Sequence, residues 1–256
     1  MKRAVVAALA AGAWLVGCGG GGSLPPGEQP VNPGGPVALP GTPETPGEEN
    51  KPTVTQSLWP LTTGSTWTYL ITDPNQGTFH KTVEVKGPSE VPNITPKMTG
   101  VLVHSRQARA TETYEEQSWQ LELTNGLVVR LREEDIQDGI PIRATTWTTA
   151  SGTAATVKSI SREQAMTWKH ADTITEWTRM GDGSQDSKER TYEWTVLAVN
   201  DTVSTPAGTF TNAIKLQRRR LDKQSKDRTY WLVPGIGKVK ETGERDEELV
   251  SFDIKK

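Results

Sequence analysis

From residue 56 onward, apolar and polar side chains alternate along the chain with a period of two. Trp67, Tyr69 and Ile71 alternate with polar residues, and Tyr192 and Trp194 repeat the pattern much later. This period places successive side chains on opposite faces of a β-strand, and the abundant Thr, Val, Trp and Tyr suit a pleated surface. The pattern predicts one mainly β domain whose antiparallel strands form a curved sheet or an open barrel.

The stretch SWQLELTNGLVVRLRE predicts one hairpin in detail, because Asn-Gly is the strongest short hairpin signal. A three-residue Thr-Asn-Gly loop pairs Leu121 with Val129 and Trp119 with Leu131, whereas a two-residue loop would place arginines opposite apolar side chains. The longer loop also gives Gly126 the left-handed position of a G1 bulge. We therefore expect the three-residue loop, with the face of Trp119 in the core.

Tryptophans are abundant in the predicted domain, and most of them occupy strand positions that face the apolar side. Core packing is therefore the expected role, although exposed rings could stack on sugars or line an apolar pocket. One stretch, residues 161–172, favours a short helix or a connecting turn, with Ser161 as its N-cap. The eight tryptophans beyond the N-terminal segment are Trp59, Trp67, Trp119, Trp147, Trp168, Trp177, Trp194 and Trp231.

The N-terminal residues 1–17 have the layout of a secretory signal peptide. Lys2 and Arg3 precede an apolar run over residues 4–16, which is shorter than the roughly 20 residues that a bilayer span needs. Cys18 follows as the single cysteine of the chain, so no disulfide can form within it. The sequence Leu-Val-Gly-Cys resembles the lipobox of bacterial lipoproteins, in which a small residue precedes the modified cysteine.

This resemblance implies that Cys18 is acylated, with palmitate or a similar chain, and becomes the mature N-terminus. Each buried methylene contributes about 0.8 kcal/mol, so two or more chains anchor a protein durably. The implied location is the cell envelope of a bacterium, on the outer membrane, with the domain in the periplasm or at the cell surface. Residues 18–55 are rich in Pro and Gly without an apolar period, which predicts a disordered tether before the domain at 56–256.

The charge balance excludes nucleic acid as a partner. The chain has 29 Lys and Arg and 31 Asp and Glu, and 27 of each remain from Lys51 onward. A formally neutral domain lacks the basic footprint of a nucleic-acid-binding protein. The triplet Arg218-Arg219-Arg220 alternates faces in an extended strand, so we expect it to form a solvated surface rather than a binding patch.

No motif with a catalytic mechanism is present in the sequence. His80, His104 and His170 lack metal-ligand spacing, and neither a zinc helix, a nucleophile elbow nor a phosphate loop occurs. The stretch at 182–189 lacks the acids and the glycine of an EF-hand loop and predicts a polar hairpin tip. We expect His80 in solvent, and we predict no catalytic residue, no metal site and no cofactor. The sequence assigns no ligand-binding residue.

Three segments that frame the domain resemble a module found in uncharacterised bacterial lipoproteins and secreted proteins. They are LWPLTTGSTWTYL at 58–70, VSTPAGTFTNAIKLQ at 203–217 and TYWLVPGIGKVK at 229–240. The shared motifs are structural, with a Pro-Ala-Gly turn before a strand and a tight Pro-Gly connection between strands. The resemblance implies a location and a fold, and it brings no activity with it.

Two function classes remain open beside an enzyme, for which no motif argues. The first is a membrane-anchored, non-catalytic binding or scaffold protein that meets an envelope protein or a polysaccharide. The alternative is a carrier that holds a lipid or another apolar ligand in a cavity of the curved sheet. The face that Trp119, Leu121 and Leu123 line, and whether that face is covered, distinguishes the two.

The anchor prediction is tested by Cys18→Ser. Because no other side chain can form the thioether, we expect this variant to lose acylation and to leave the detergent phase in a partitioning assay. A variant that is still acylated and membrane-bound would contradict the lipoprotein interpretation.

Overall fold

The computed structural model describes residues 57–149, 151–160, 165 and 169–256. The chain divides into two compact units, Met1–Gly47 and Glu48–Lys256, and the described residues all belong to the second. The predictions for the signal peptide, Cys18, the tether, Ser161 and Trp168 lie outside the described residues. Within the described ranges, no helix has the length and apolar character to cross a membrane.

The described residues form thirteen strands and one 3-10 turn, Gln224–Lys226. The strands are β1 (Thr66–Asp73), β2 (Gly77–Glu90), β3 (Thr99–Ala108), β4 (Thr113–Glu122), β5 (Val128–Gln137), β6 (Ile140–Thr149), β7 (Thr156–Ser159), β8 (Lys169–Met180), β9 (Gln185–Thr205), β10 (Gly208–Arg220), β11 (Arg228–Val233), β12 (Gly237–Thr242) and β13 (Asp246–Asp253).

The strands form a closed antiparallel barrel. Each strand pairs with its neighbours along the chain, except that β6 pairs with β8 and β7 pairs with β5 alone. The first strand, β1, pairs with the last, β13, so that twelve strands complete a ring. The predicted class, a single domain of antiparallel strands, is confirmed, and the β1–β13 pairing closes the barrel. Residues 169–172, expected in a helix or turn, belong to β8 because they pair with β9.

The β4–β5 hairpin has the predicted three-residue loop. Gly126 has a φ of 80°, and its N–H donates to the carbonyl of Leu123 at 2.8 Å. The N–H of Leu123 in turn donates to the carbonyl of Leu127 at 2.8 Å, which closes the loop. The left-handed role of Gly126 is confirmed.

The register of this hairpin differs from the prediction at its far end. Leu121 pairs with Val129 as expected, but Trp119 pairs with Arg132 and not with Leu131. The reason is a β-bulge after Trp119, which leaves Leu131 as the extra residue on β5.

The apolar face of β4 lies on the outside of the barrel and is covered by the chain itself. Trp119 is 4% exposed and packs in a cluster with Val91, Val129 and Leu131, against Met98 of the β2–β3 connection. The opposite face of β4 carries polar side chains toward the lumen. Burial of Trp119 is therefore confirmed, but it belongs to an outer satellite core. Leu123, predicted on the same inward face, is 38% exposed.

Apolar side chains also fill the lumen beside the β11–β12 connection. Leu58 and Ile160 are buried there against Leu216 and Leu232, and the backbone N–H of Gly235 donates to Ser57. The expectation of tryptophans in the core is confirmed for four rings, and it is wrong for Trp177, which is 51% exposed on the outer surface. The four buried rings are Trp67, Trp119, Trp147 and Trp194.

Candidate functional site

A polar cavity of about 490 Å³ occupies the lumen and borders the apolar cluster around Leu58 at Trp194. This volume falls within the range of about 300–1,000 Å³ that is typical of small-molecule sites. The β1–β2 and β12–β13 hairpins contribute Asn75, Gln76 and Glu244 to one end of it. Its lining includes six arginines, Arg109, Arg130, Arg143, Arg218, Arg228 and Arg245.

Strand alternation explains why charged side chains face this lumen. On β4, Glu116, Ser118 and Gln120 point inward, while Trp119 points to the outer satellite core. A barrel of about eight strands is just wide enough for side chains to fill, and wider barrels enclose open space. The inner faces of a twelve-stranded ring can therefore carry long polar side chains with room beside them.

Three carboxylates of β4 and β5 share one wall of the cavity. Oxygen atoms of Glu116, Glu133 and Asp135 lie within 4.8 Å of one another. Arg143 Nε donates to Asp135 at 2.6 Å, and Arg130 contacts both Glu133 and Glu116. The guanidinium groups of Arg130 and Arg143 thus join the three carboxylates into one ion-pair network, in which Asp135 Oδ1 has no hydrogen-bond partner.

The pKa values of Glu116 and Asp135 in this wall shift in opposite directions from their ordinary values. Burial alone would raise the pKa of Glu116, but the positive charges of Arg130 and Lys158 outweigh burial and lower it to about 2. Burial raises the pKa of Asp135, and the nearby negative charge of Glu116 raises it further. Glu116 is therefore the fixed negative charge of this wall at neutral pH.

A second ion network is buried between β2, β12 and β13. Lys238 Nζ lies 2.5 Å from Glu241 and 2.7 Å from Glu247, and Lys81 Nζ lies 2.9 Å from Glu247. Arg245 approaches Glu247 at 2.7 Å. Burial would raise the pKa of both acids, but the Lys238 charge holds that of Glu241 at about 2 and that of Glu247 well below its ordinary value. The network keeps these side chains charged inside the barrel.

A smaller cavity of about 70 Å³ lies beside the second network. Its lining combines Trp59, Trp67 and Tyr69 with Lys158, whose ammonium lies 5.2 Å from the centroid of the Trp59 ring. Burial lowers the pKa of Lys158 well below its ordinary value. This space is several times smaller than a typical ligand site, so the larger cavity is the candidate site.

Arg218 is distinct among the arginines of the large cavity. Its guanidinium lies 5.1 Å from the Tyr192 ring centroid and 5.7 Å from that of Trp194. Among the described residues it has no carboxylate within ion-pair distance. Its buried Nε–H has no acceptor, which is also true of Arg130 and Arg228. The expectation of a solvated arginine surface is confirmed for Arg219, which is 43% exposed in its side chain. It is wrong for Arg218, because alternation on β10 turns that residue to the lumen.

The residues that the sequence singled out for chemistry do not meet in the cavity. His80 is exposed, as predicted, and His104 Nε2 lies 2.8 Å from Glu115 on the outer face of β3 and β4. Neither of these histidines nor His170 is among the described residues that line a cavity. The stretch at 182–189 contains the predicted hairpin tip between β8 and β9.

The sequence did contain a signal for the polar lumen. Ser118 and Gln120 alternate with Trp119 and Leu121, so the second half of β4 has one polar face, which continues back to Glu116, and one apolar face. The alternation predicts that the apolar face lies toward the interior, which is the general rule for half-buried strands. The inverse arrangement requires a cover on the outside, which Val91 to Met98 provide.

Comparison with known proteins finds a structural neighbour at low similarity. No family model matches the sequence, and no curated protein matches it. A crystal structure of a protein described as a candidate lipoprotein, from Parabacteroides distasonis ATCC 8503, is similar at 10% identity and a TM-score of 0.40. The similarity covers 77% of this chain and 99% of that chain. At this distance the neighbour assigns no function to the barrel.

The buried acids predict how stability depends on pH. Glu241 and Glu247 have folded-state pKa values below the ordinary 4.5, so they stabilise the fold above that pH. We expect the free energy of unfolding to fall as the pH drops from 4.5 toward 2, the value to which the pKa of Glu241 is lowered. Urea unfolding at a series of pH values measures this dependence.

The variant Glu247→Gln identifies the group responsible. Breaking a buried pair costs about 3–5 kcal/mol, so we expect this loss at neutral pH together with a flatter acid limb. Glu248→Gln is the control, because the Glu248 side chain is 34% exposed and its pair with Lys240 is on the surface. We expect a cost of at most about 1 kcal/mol there. Equal costs and equal pH profiles for the two variants would contradict the buried-network account.

Proposed function

We propose that the protein is a lipid-anchored protein of the bacterial envelope whose barrel binds a small hydrophilic ligand without transforming it. The observation that carries this proposal is the 490 Å³ cavity, which has the volume of a ligand site and a lining of charged and aromatic side chains. Cys18 supplies the anchor, as the lipobox-like sequence predicts. The domain would present its cavity on a tether outside the membrane that holds the lipid.

The polar lining favours a hydrophilic ligand over the apolar one that the carrier alternative requires. Ligand pockets for apolar molecules are lined mainly by hydrophobic side chains, whereas arginines and carboxylates from most of the barrel strands line this cavity. The buried apolar side chains of the described residues pack into three clusters, around Trp67, Leu58 and Trp119. An acyl chain in the large cavity would desolvate charges without pairing them, at a high cost in free energy.

The arrangement of side chains supports binding rather than catalysis. The carboxylates of the cavity wall are held in ion pairs with arginines, as in Asp135 with Arg143. A general base needs a free lone pair within reach of its substrate and a pKa near the working pH. The low pKa of Glu116 and the bound state of its neighbours suit a fixed electrostatic wall.

The proposal is tested by ligand capture with a cavity-filling variant. Thr145 is 5% exposed and lines the cavity, while Thr146, the next residue on β6, points to the outer face. We expect full-length protein, incubated with the aqueous fraction of a bacterial extract, to retain a hydrophilic small molecule in native mass spectrometry. Thr145→Phe should reduce the bound fraction at least tenfold, and Thr146→Phe should leave it unchanged.

Two results would contradict the proposal. One is preferential retention of fatty acid or phospholipid from the organic fraction, which would restore the apolar-carrier alternative. The other is equal capture by the two phenylalanine variants, with circular dichroism showing both to be folded, which would place the bound molecule outside the cavity.

A further inference from the structure

We infer that the ligand carries a carboxylate or phosphate group and that Arg218 binds this oxyanion. The inference rests on the proposed function, because it names the chemistry recognised in the same cavity. It starts from the charges of the lining side chains, and from which of them already have partners inside the barrel.

The carboxylates that line the cavity all have partners within the protein. Asp73 accepts hydrogen bonds from the backbone of its own turn, at 2.8 Å from Asn75. Glu176 lies 3.1 Å from Arg190, and Glu244 lies 3.0 Å from Arg228. The remaining three form the β4–β5 wall described above, paired with Arg130 and Arg143. Although Glu133 Oε2 and Asp135 Oδ1 accept no hydrogen bond, each of these six carboxylates has a guanidinium group or a backbone N–H beside it that offsets its negative charge.

Arg218 is the exception on the positive side. It is half-buried on β10 and lines the cavity, yet no described carboxylate lies within ion-pair distance of it. Its cross-strand neighbour on β11 is Arg228, and like charges placed directly opposite each other destabilise a sheet. The charge of Arg228 is satisfied by Glu241 at 2.7 Å, so the uncompensated charge belongs to Arg218.

The rings around Arg218 hold its guanidinium in a defined orientation. Tyr192 and Trp194 lie within 6 Å of its centre, and Trp194 is stacked in turn on Tyr230, with 6.0 Å between ring centroids. Stacking fixes the plane of a guanidinium and leaves its edge for hydrogen bonds. The edge is a planar fork of N–H donors, which matches the paired oxygens of a carboxylate or phosphate.

The low local dielectric strengthens this recognition. A charge-assisted hydrogen bond is roughly twice as strong as a neutral one, and Arg218 cannot lose its proton in a protein. A neutral ligand would leave the guanidinium without a counter-charge, and a cationic ligand would be repelled by the uncompensated charge of Arg218. An oxyanion is the chemistry that the site lacks and would bind.

Inorganic phosphate and acetate are suitable probes, because phosphate represents the recognised group of a phosphorylated ligand and acetate that of a carboxylate ligand. We would titrate each into the full-length protein at constant ionic strength and follow the Arg218 Nε–H resonance by NMR, assigned by its loss in Arg218→Gln. We expect a saturable shift with at least one anion, and which of the two binds more tightly separates a phosphate from a carboxylate ligand.

The neighbouring arginine supplies the matched control. Arg219→Gln removes an equal charge from the outer face, where Arg219 contacts Glu193 and Asp227. We expect this variant to retain the wild-type affinity, whereas Arg218→Lys, which keeps the charge and loses the fork, should bind at least tenfold more weakly. Backbone resonances of the lining residues report binding in the Arg218 variants.

The inference is overturned if neither anion gives a saturable response, or if Arg218→Gln and Arg219→Gln respond alike. In that case a hydrophilic molecule captured in the Thr145 experiment would still support the proposed function, with a neutral ligand. A third outcome is that anions bind saturably at Arg218 but the capture experiment retains no molecule. The site would then bind free anions only, and the inference that a larger ligand carries the oxyanion would be wrong.

Discussion

The pairing of the first strand with the last is the constraint on which the other features depend. Residues Thr66–Thr72 of β1 pair with Asp246–Asp253 of β13, so the ladder joins the two ends of the described domain in sequence. All other pairings in the ring join strands that are neighbours along the chain or, for β6 and β8, separated by the short β7. Without the β1–β13 ladder the sheet would have two long exposed edges, which invite association with other chains.

Closure at twelve strands then decides what the interior contains. A ring wider than about eight strands leaves open space inside, and this barrel fills part of that space with apolar side chains, around Leu58 and Ile160 and beside Trp67 and Tyr69. Ion networks of charged side chains occupy other parts of the lumen. The pair of Lys238 with Glu247 is the most deeply buried of those described. Buried ion pairs contribute little net stability, so the charged lumen is not accounted for by stability, and the proposed polar ligand gives it a role.

Local features were predictable from the sequence because they depend on local rules. The period of two fixed the strands, and Asn125-Gly126 fixed a loop that requires a left-handed residue. The positions of the faces were not predictable in the same way. Trp119 is buried as expected, but on the outside, because the β2–β3 connection folds over it. That contact joins residues distant in sequence, so the alternation of apolar and polar residues along a strand does not predict it.

The candidate site was the least predictable part for the same reason. Arg218 belongs to a triplet of arginines, and the local sequence does not show that one of the three faces a lumen. Its environment comes from Tyr192 and Trp194 on β9 and Arg228 on β11. Only the closed ring, with each neighbouring strand in register, makes Arg218 a cavity residue. The sequence could indicate that a polar face exists on β4, but not that polar faces of many strands converge.

Amide hydrogen exchange of β1 tests the closed barrel most directly. A strand paired on both sides has every amide hydrogen-bonded, whereas an edge strand leaves alternate amides to solvent. We predict uniform protection along Thr66–Thr72, because each of these residues lies between β2 and β13. The strand β7, which pairs with β5 alone, provides the edge pattern for comparison. Fast exchange at every second amide of β1 would mean that the sheet is open, and would contradict the enclosed cavity.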